Sequence, residues 1–246
     1  MDSIPNRSPI RGRYLITGAS GRLGTALAAQ LTQAGAEVVL VGRTAAPLAR
    51  ARRALHASAA VEEAVCDLAD APAVLALADR LHRDRGPFQG IVHAAGQFAS
   101  GRLFALDPLV VRGMLDTAVL GAHWIAQAFL PSMVARGQGR LVLVAAAAVA
   151  PGRGADPRGT SVPYLVAKSG LAVFGRALNA ELEETGVSVA VVYPPTFEEA
   201  ARSGVLSATE VADSLLALLM PGTPVVSELV LAPARSGNGT HGRIDV

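Results

Sequence analysis

The stretch Arg13-Tyr14-Leu15-Ile16-Thr17-Gly18-Ala19-Ser20-Gly21-Arg22-Leu23-Gly24 decides how the rest of the chain is read. A short apolar strand runs straight into a glycine-rich turn, and a helix rich in Ala and Leu follows. Glycines at 18, 21 and 24 let the backbone turn tightly and approach a pyrophosphate, while the helix N-terminus supplies amide donors. Such turns also serve plain packing. The placement after a first strand and before a first helix is what marks a dinucleotide-binding turn.

Working outward, short apolar runs alternate with longer helical stretches. Strands are expected over 13–17, 37–42, 61–65, 90–95, 140–145, 187–193 and 228–233. Helices are expected over about 22–34, 45–58, 71–84, 104–136, 163–185 and 208–219. Near-continuous Val, Ile and Leu runs suit strands buried on both faces, as in a parallel sheet. The alternation predicts one doubly wound α/β domain over 13–235, a Rossmann fold of about seven parallel strands with helices on both faces. A flexible N-terminal segment (1–12) and a flexible polar tail (236–246) would flank it.

Composition narrows the function. The net charge of +2 is too small to point to nucleic acid, and no aromatics interleave with the arginines as a stacking platform. The single cysteine, Cys66, excludes an internal disulfide and suits a reducing compartment. The polar start MDSIPNRSPIRGR does not look like a signal peptide, and the run LVLVAAAAVAP is about half a membrane span. A soluble cytoplasmic protein is expected, with no membrane partner and no metal site.

The second strand bears on which dinucleotide would bind. An NAD site places Asp or Glu near its end to hold the ribose 2′-hydroxyl. Here the chain reads Val41-Gly42-Arg43-Thr44. Arg43 and Arg22 could together embrace a 2′-phosphate, which favours NADP, or they are two surface arginines in an arginine-rich chain.

Lys168 is the only lysine among 22 basic residues, and it stands four positions after Tyr164, one of three tyrosines. At that spacing the two share one helix face. A nearby ammonium would lower the tyrosine pKa and make it a usable proton donor and acceptor. The same spacing is also met by incidental pairs on solvated helices.

With the glycine turn and this pair both in hand, the chain resembles the short-chain dehydrogenase/reductase family over residues 13 to about 233. TGASGRLG is similar to the family's glycine turn, although its spacing is closer to the TGxxGxxG of extended members. Tyr164-Leu165-Val166-Ala167-Lys168 matches YxxxK, the family's most specific signature. The resemblance implies Tyr164 as the catalytic acid/base and Lys168 as the residue that tunes it and holds the nicotinamide ribose. It implies cofactor contacts from Gly18, Ser20, Gly21, Arg22, Leu23 and Gly24, with Arg43 on the second strand. Further contacts would come from Asp67, Leu68, Ala95 and Gly96, then Pro194, Thr196 and Phe197. Asp67 reads equally as an adenine contact or as a polar residue beside a helix start. His93 in His93-Ala94-Ala95-Gly96, where the family has NNAG, reads as a structural variant.

Two family positions are altered. The catalytic serine that ends the fifth strand is Ala146, and the asparagine of the fourth helix is Ala118. Losing one oxyanion-stabilising donor costs about 10²–10³ in rate. The loop 151–161 is about five residues longer than usual and ends in Thr160 and Ser161, either of which could replace the serine. Ser161 also reads as the N-cap of the catalytic helix. At the other end of the site, Glu199 stands where a nicotinamide-side threonine is expected. Phe98, Phe104 and Trp124 are expected in the core or at a subunit contact, with substrate stacking as the lesser reading.

The expected function is an NADP-dependent oxidoreductase acting on a small carbonyl or alcohol, slow or specialised. A non-redox isomerase or cyclase, or a cofactor-binding sensor, are the rivals. The resemblance also implies a homodimer or homotetramer built on the long fourth and fifth helices.

Overall fold

The computed structural model describes residues 10–57, 59–153, 159–198, 200, 205–220 and 222–233. The expectations for 1–9, 236–246, part of the 151–161 loop and Glu199 lie outside them. Seven parallel strands form one sheet: β1 (Arg13–Thr17), β2 (Glu37–Gly42), β3 (Val61–Val65), β4 (Gly90–His93), β5 (Gly139–Val144), β6 (Val187–Tyr193) and β9 (Glu228–Val230). Their spatial order is β3-β2-β1-β4-β5-β6-β9. A small parallel pair, β7 (Phe197–Glu198) and β8 (Leu206–Ser207), follows β6. Packing begins three residues before the expected domain start, because Ile10 is buried and its amide bonds Ala34 O at 2.9 Å.

Helices α1 (Arg22–Gln33) and α7 (Ala208–Leu219) cover one face of the sheet, with Leu27 and Leu31 meeting the same core as Leu215 and Leu219. Helices α3 (Ala71–Arg85), α5 (Gly121–Ala135) and α6 (Val162–Glu181) cover the other, around Phe88, Phe129 and Leu171. Helix α2 (Ala45–Arg53) stops five residues early because Arg52 turns back to donate to the carbonyls of His56, Ala57 and Ala59.

The stretch expected as one helix over 104–136 is broken in two ways. Asp107 caps α4 (Pro108–Leu115) by accepting from Leu109 N at 2.7 Å, with Pro108 in the first turn. A π-turn at Asp116–Leu120 then joins α4 to α5. By length and composition Pro108–Ala135 could cross a membrane. Here Ile125, Phe129 and Met133 are buried against the sheet, as in the core helix of a globular domain.

Candidate active site

In an open parallel sheet, ligands gather at the carboxyl ends of the strands where the order reverses. Here the reversal falls between β1 and β4, and the turns that follow them build a cleft. Gly18 lies there at φ +67°, and a Cβ on it would sit 2.8 Å from Ala94 O and the Ala95 backbone. A Cβ on Gly24 would sit 2.5 Å from Gly18 O, so this glycine lets α1 start hard against the turn. Gly21 is extended, and no side chain caps α1. The turn is thus a backbone cradle that side chains would fill, and it fits a pyrophosphate.

The cleft is lined by Gly18, Ser20, Arg43, Asp67, Leu68, Ala95 and Gly96 among the expected residues, joined by Gly42, Cys66, Gln97 and Thr117. Asp67 is exposed there, and one of its oxygens accepts from Ala69 N at 3.0 Å. Leu23 points into the core and can offer only its backbone. Arg22 is not a lining residue: it opens α1 beside the turn, with its guanidinium over the Phe197 ring, 5.9 Å from the centroid. Pro194 is buried behind the site, accepting from Ala147 N at 2.8 Å, and Thr196 is exposed.

Helix α6 carries Tyr164 and Lys168. It packs closely on β5 and β6, since a Cβ on Gly175 would sit 2.5 Å from Val191 and 2.9 Å from Leu143. Lys168 is buried, and its Nζ donates to Val144 O at 2.7 Å. Burial pulls its pKa down to about 8. A Cβ on Gly96 would lie 3.3 Å from that Nζ, so the ammonium stands at the edge of the cleft.

Tyr164 is half-buried, with the Phe98 ring edge-on at 5.0 Å and 82°. Burial raises its pKa, contrary to the lowering expected from the lysine. The lysine's charge is directed to Val144 O, so in this arrangement desolvation of the phenol wins. Phe98 therefore stands against Tyr164, 61% exposed and outside the core. Phe104 is exposed outright, and Trp124 is half-buried beside His123.

Ser161 is committed to structure. Its hydroxyl donates to Ala99 O at 2.7 Å and accepts from Tyr164 N at 3.3 Å, so it caps α6 and ties it to the loop after β4. A hydroxyl has one proton, and this one is used. Thr160 differs: its Oγ1 is buried without a partner. Ala146 and Ala118 are buried, and Ala118 sits in the π-turn packed with Ala167 and Tyr164.

His93 is fully buried at the end of β4. Ala95 N donates to Thr17 Oγ1 at 3.3 Å, and Thr17 Oγ1 lies 3.1 Å from His93 Nδ1. Its Nε2 faces the backbone of Thr117 and Ala118 without a well-formed hydrogen bond. Burial, with the Lys168 charge nearby, pushes its pKa down to about 3, so it stays neutral and is no base. Through Thr17 it links β1 to β4.

The chain is similar to known proteins in sequence and in fold. Residues 13–209 match the family described as short chain dehydrogenase. An oxidoreductase of Myxococcus xanthus is 34% identical over 181 residues, covering 73% of this chain and 70% of its own. The 3-dehydrosphinganine reductase TSC10B of Arabidopsis thaliana is 31% identical over 193 residues, and the ketoacyl reductase HetN of Nostoc sp. 30% over 181. They match 76% and 73% of this chain, which spans only 56% and 61% of their lengths. Among solved structures, actinorhodin polyketide ketoreductase with NADPH superposes with a TM-score of 0.80 at 23% identity, over 90% of this chain and 95% of its own. NAD⁺-bound xylitol dehydrogenase superposes at 0.78 and 18%, over 90% and 98%.

Proposed function

Since the chain belongs to the short-chain dehydrogenase family of oxidoreductases, we propose that it is an NADP-dependent reductase of a small carbonyl substrate, or the reverse dehydrogenase. The observation that carries this is the buried Lys168 ammonium, anchored on Val144 O at the Gly96 edge of the cleft, one helical turn from Tyr164. The relatives named as ketoacyl and 3-dehydrosphinganine reductases support a carbonyl substrate. Arg43 in the cleft, with no carboxylate in its place, supports NADP.

The bound nicotinamide would supply or accept the hydride. The glycine cradle and the α1 amides would hold its pyrophosphate, and Asp67 and Leu68 its adenine end. Lys168 would hold the ribose. Tyr164, kept protonated by burial, gives its proton to the carbonyl oxygen during reduction. Phe98 shields one side of the phenol from water. Thr160, whose hydroxyl has no other partner, takes the donor role that Ala146 cannot fill.

The test is oxidation of NADPH by purified protein against a panel of ketones and aldehydes, with Tyr164→Phe as control. Turnover that Tyr164→Phe leaves intact would refute the assignment. The buried alanines at 146 and 118 favour a second reading, a non-redox catalyst or a cofactor sensor. Product formation without any change in nicotinamide absorbance would select the first of these. Tight NADPH binding together with a fully functional Tyr164→Phe in cells would select the sensor.

The soluble homodimer or homotetramer expected for such an enzyme would pair through α4, α5 and α6. Val162, Val166 and Val173 form an exposed apolar stripe on α6. A monomeric mass by light scattering at micromolar concentration would rule the oligomer out. Fractionation of the producing cells tests the cytoplasmic assignment.

A further inference from the structure

The two arginines beside the cleft are not equivalent. Arg43 lines it together with Gly42, Cys66, Asp67 and Leu68, the turns after β2 and β3. Arg22 is the first residue of α1, and among the described residues its aromatic partner is Phe197 at the start of β7. That contact joins the turn after β1 to the segment after β6, two strands separated in the sheet by β4 and β5.

Arg22 stands where a cation is electrostatically disfavoured. The positive end of a helix macrodipole repels it, the first turn of α1 holds no acidic residue, and Gly21 provides no side-chain cap. No carboxylate among the described residues pairs with it. An exposed guanidinium, an uncapped amide ring and an aromatic rest thus converge beside the Gly18 cradle. Of the two arginines, only Arg43 lines the cleft.

Resting on the dinucleotide reading above, we infer that Arg22 serves the cofactor's pyrophosphate, with Phe197 aiming it, and that Arg43 alone reads the 2′-phosphate. Arg22 then strengthens NADH and NADPH equally and takes no part in choosing between them. Phe197 acts only through Arg22, as a positioning residue.

The experiment is calorimetric titration of the full chain and of Arg22→Ala, Arg43→Ala and Phe197→Leu with NADPH and NADH. ADP-ribose (pyrophosphate, no 2′-phosphate) and adenosine 2′-monophosphate (the converse) serve as fragments. Arg22→Ala should weaken NADPH, NADH and ADP-ribose by one common factor, roughly 10- to 100-fold as for loss of a charged hydrogen bond, and spare adenosine 2′-monophosphate. Arg43→Ala should weaken only NADPH and adenosine 2′-monophosphate. Phe197→Leu should follow the Arg22→Ala pattern with a smaller factor. An Arg22→Ala effect confined to the 2′-phosphorylated ligands, or no effect at all, overturns the inference. If the unmodified chain binds neither dinucleotide, the underlying reading fails as well.

Discussion

Replacing Lys168 by methionine should change how stability depends on pH, in a way that isolates one buried charge. An ordinary lysine titrates at 10.5 and Lys168 at about 8, because burial disfavours its ammonium. The unfolded chain therefore binds that proton more tightly than the folded one. The resulting penalty on folding is fully present below about pH 8 and fades as pH rises toward 10.5. At pH 7 it amounts to about 3 kcal/mol, and by pH 9.5 to about 1 kcal/mol. The methionine variant also strands the Val144 carbonyl that Lys168 now bonds at 2.7 Å, but that cost does not depend on pH. The variant's stability relative to the parent should thus fall by about 2 kcal/mol between pH 7 and 9.5, whatever its sign at either end. Urea unfolding of both proteins across that range measures it. A difference that stays constant with pH would refute the claim that a buried ammonium is held in the fold. Arginine could not show this behaviour, which gives a physical reason for the chain's one lysine.

Other outcomes follow from the same site. Ser161→Ala should destabilise the fold by about 1 kcal/mol through loss of the α6 cap while leaving turnover per folded molecule intact, and Thr160→Ala should do the reverse; urea unfolding and steady-state kinetics separate them. Gly24→Ala should abolish dinucleotide binding or folding, read by calorimetry and circular dichroism, because its Cβ would stand 2.5 Å from Gly18 O. Reductase activity should decline above about pH 8 as Lys168 loses its proton, seen in a kcat/KM profile. Cys66, buried in the cleft wall with its pKa pushed up to about 11, should resist iodoacetamide at pH 7.5 by mass spectrometry, and bound NADPH should protect it further.

The sheet was legible because buried parallel strands write themselves as apolar runs. Arg13–Thr17, Glu37–Gly42, Val61–Val65 and Val187–Tyr193 begin and end where the runs do. The strand ends at His93 and Val144 were overrun, since Ala94, Ala95 and Ala145 are as apolar as the strands they leave. Ala95 lines the cleft, while Ala94 and Ala145 stay packed on the core, so apolarity continues where the strands stop. The π-turn at Asp116–Leu120 had no sequence signal, because one extra residue in a helical turn changes no composition. Asp107-Pro108, in contrast, is a cap followed by a first-turn proline and could have marked the start of α4. Tyr164 and Lys168 were found by their spacing together with the YxxxK resemblance. The direction of the Tyr164 pKa was not, because spacing fixes a shared face and leaves open where an ammonium sends its hydrogen bond.

The reversal of strand order beside β1 also sets the order in which that strand's two neighbours leave the ribosome. Strands β1, β2 and β3 emerge in sequence and build outward in one direction. The opposite border of β1 waits for β4, whose His93 lies 76 residues after Thr17. The sheet's later strands, β5, β6 and β9, then add on that second side. Until β4 arrives, a strand buried along its whole length in the finished protein presents a bare row of amides and carbonyls, the kind of border that captures stray strands. Stalled nascent chains, lengthened stepwise, should gain protease resistance in two stages, with the second beginning as β4 clears the exit tunnel.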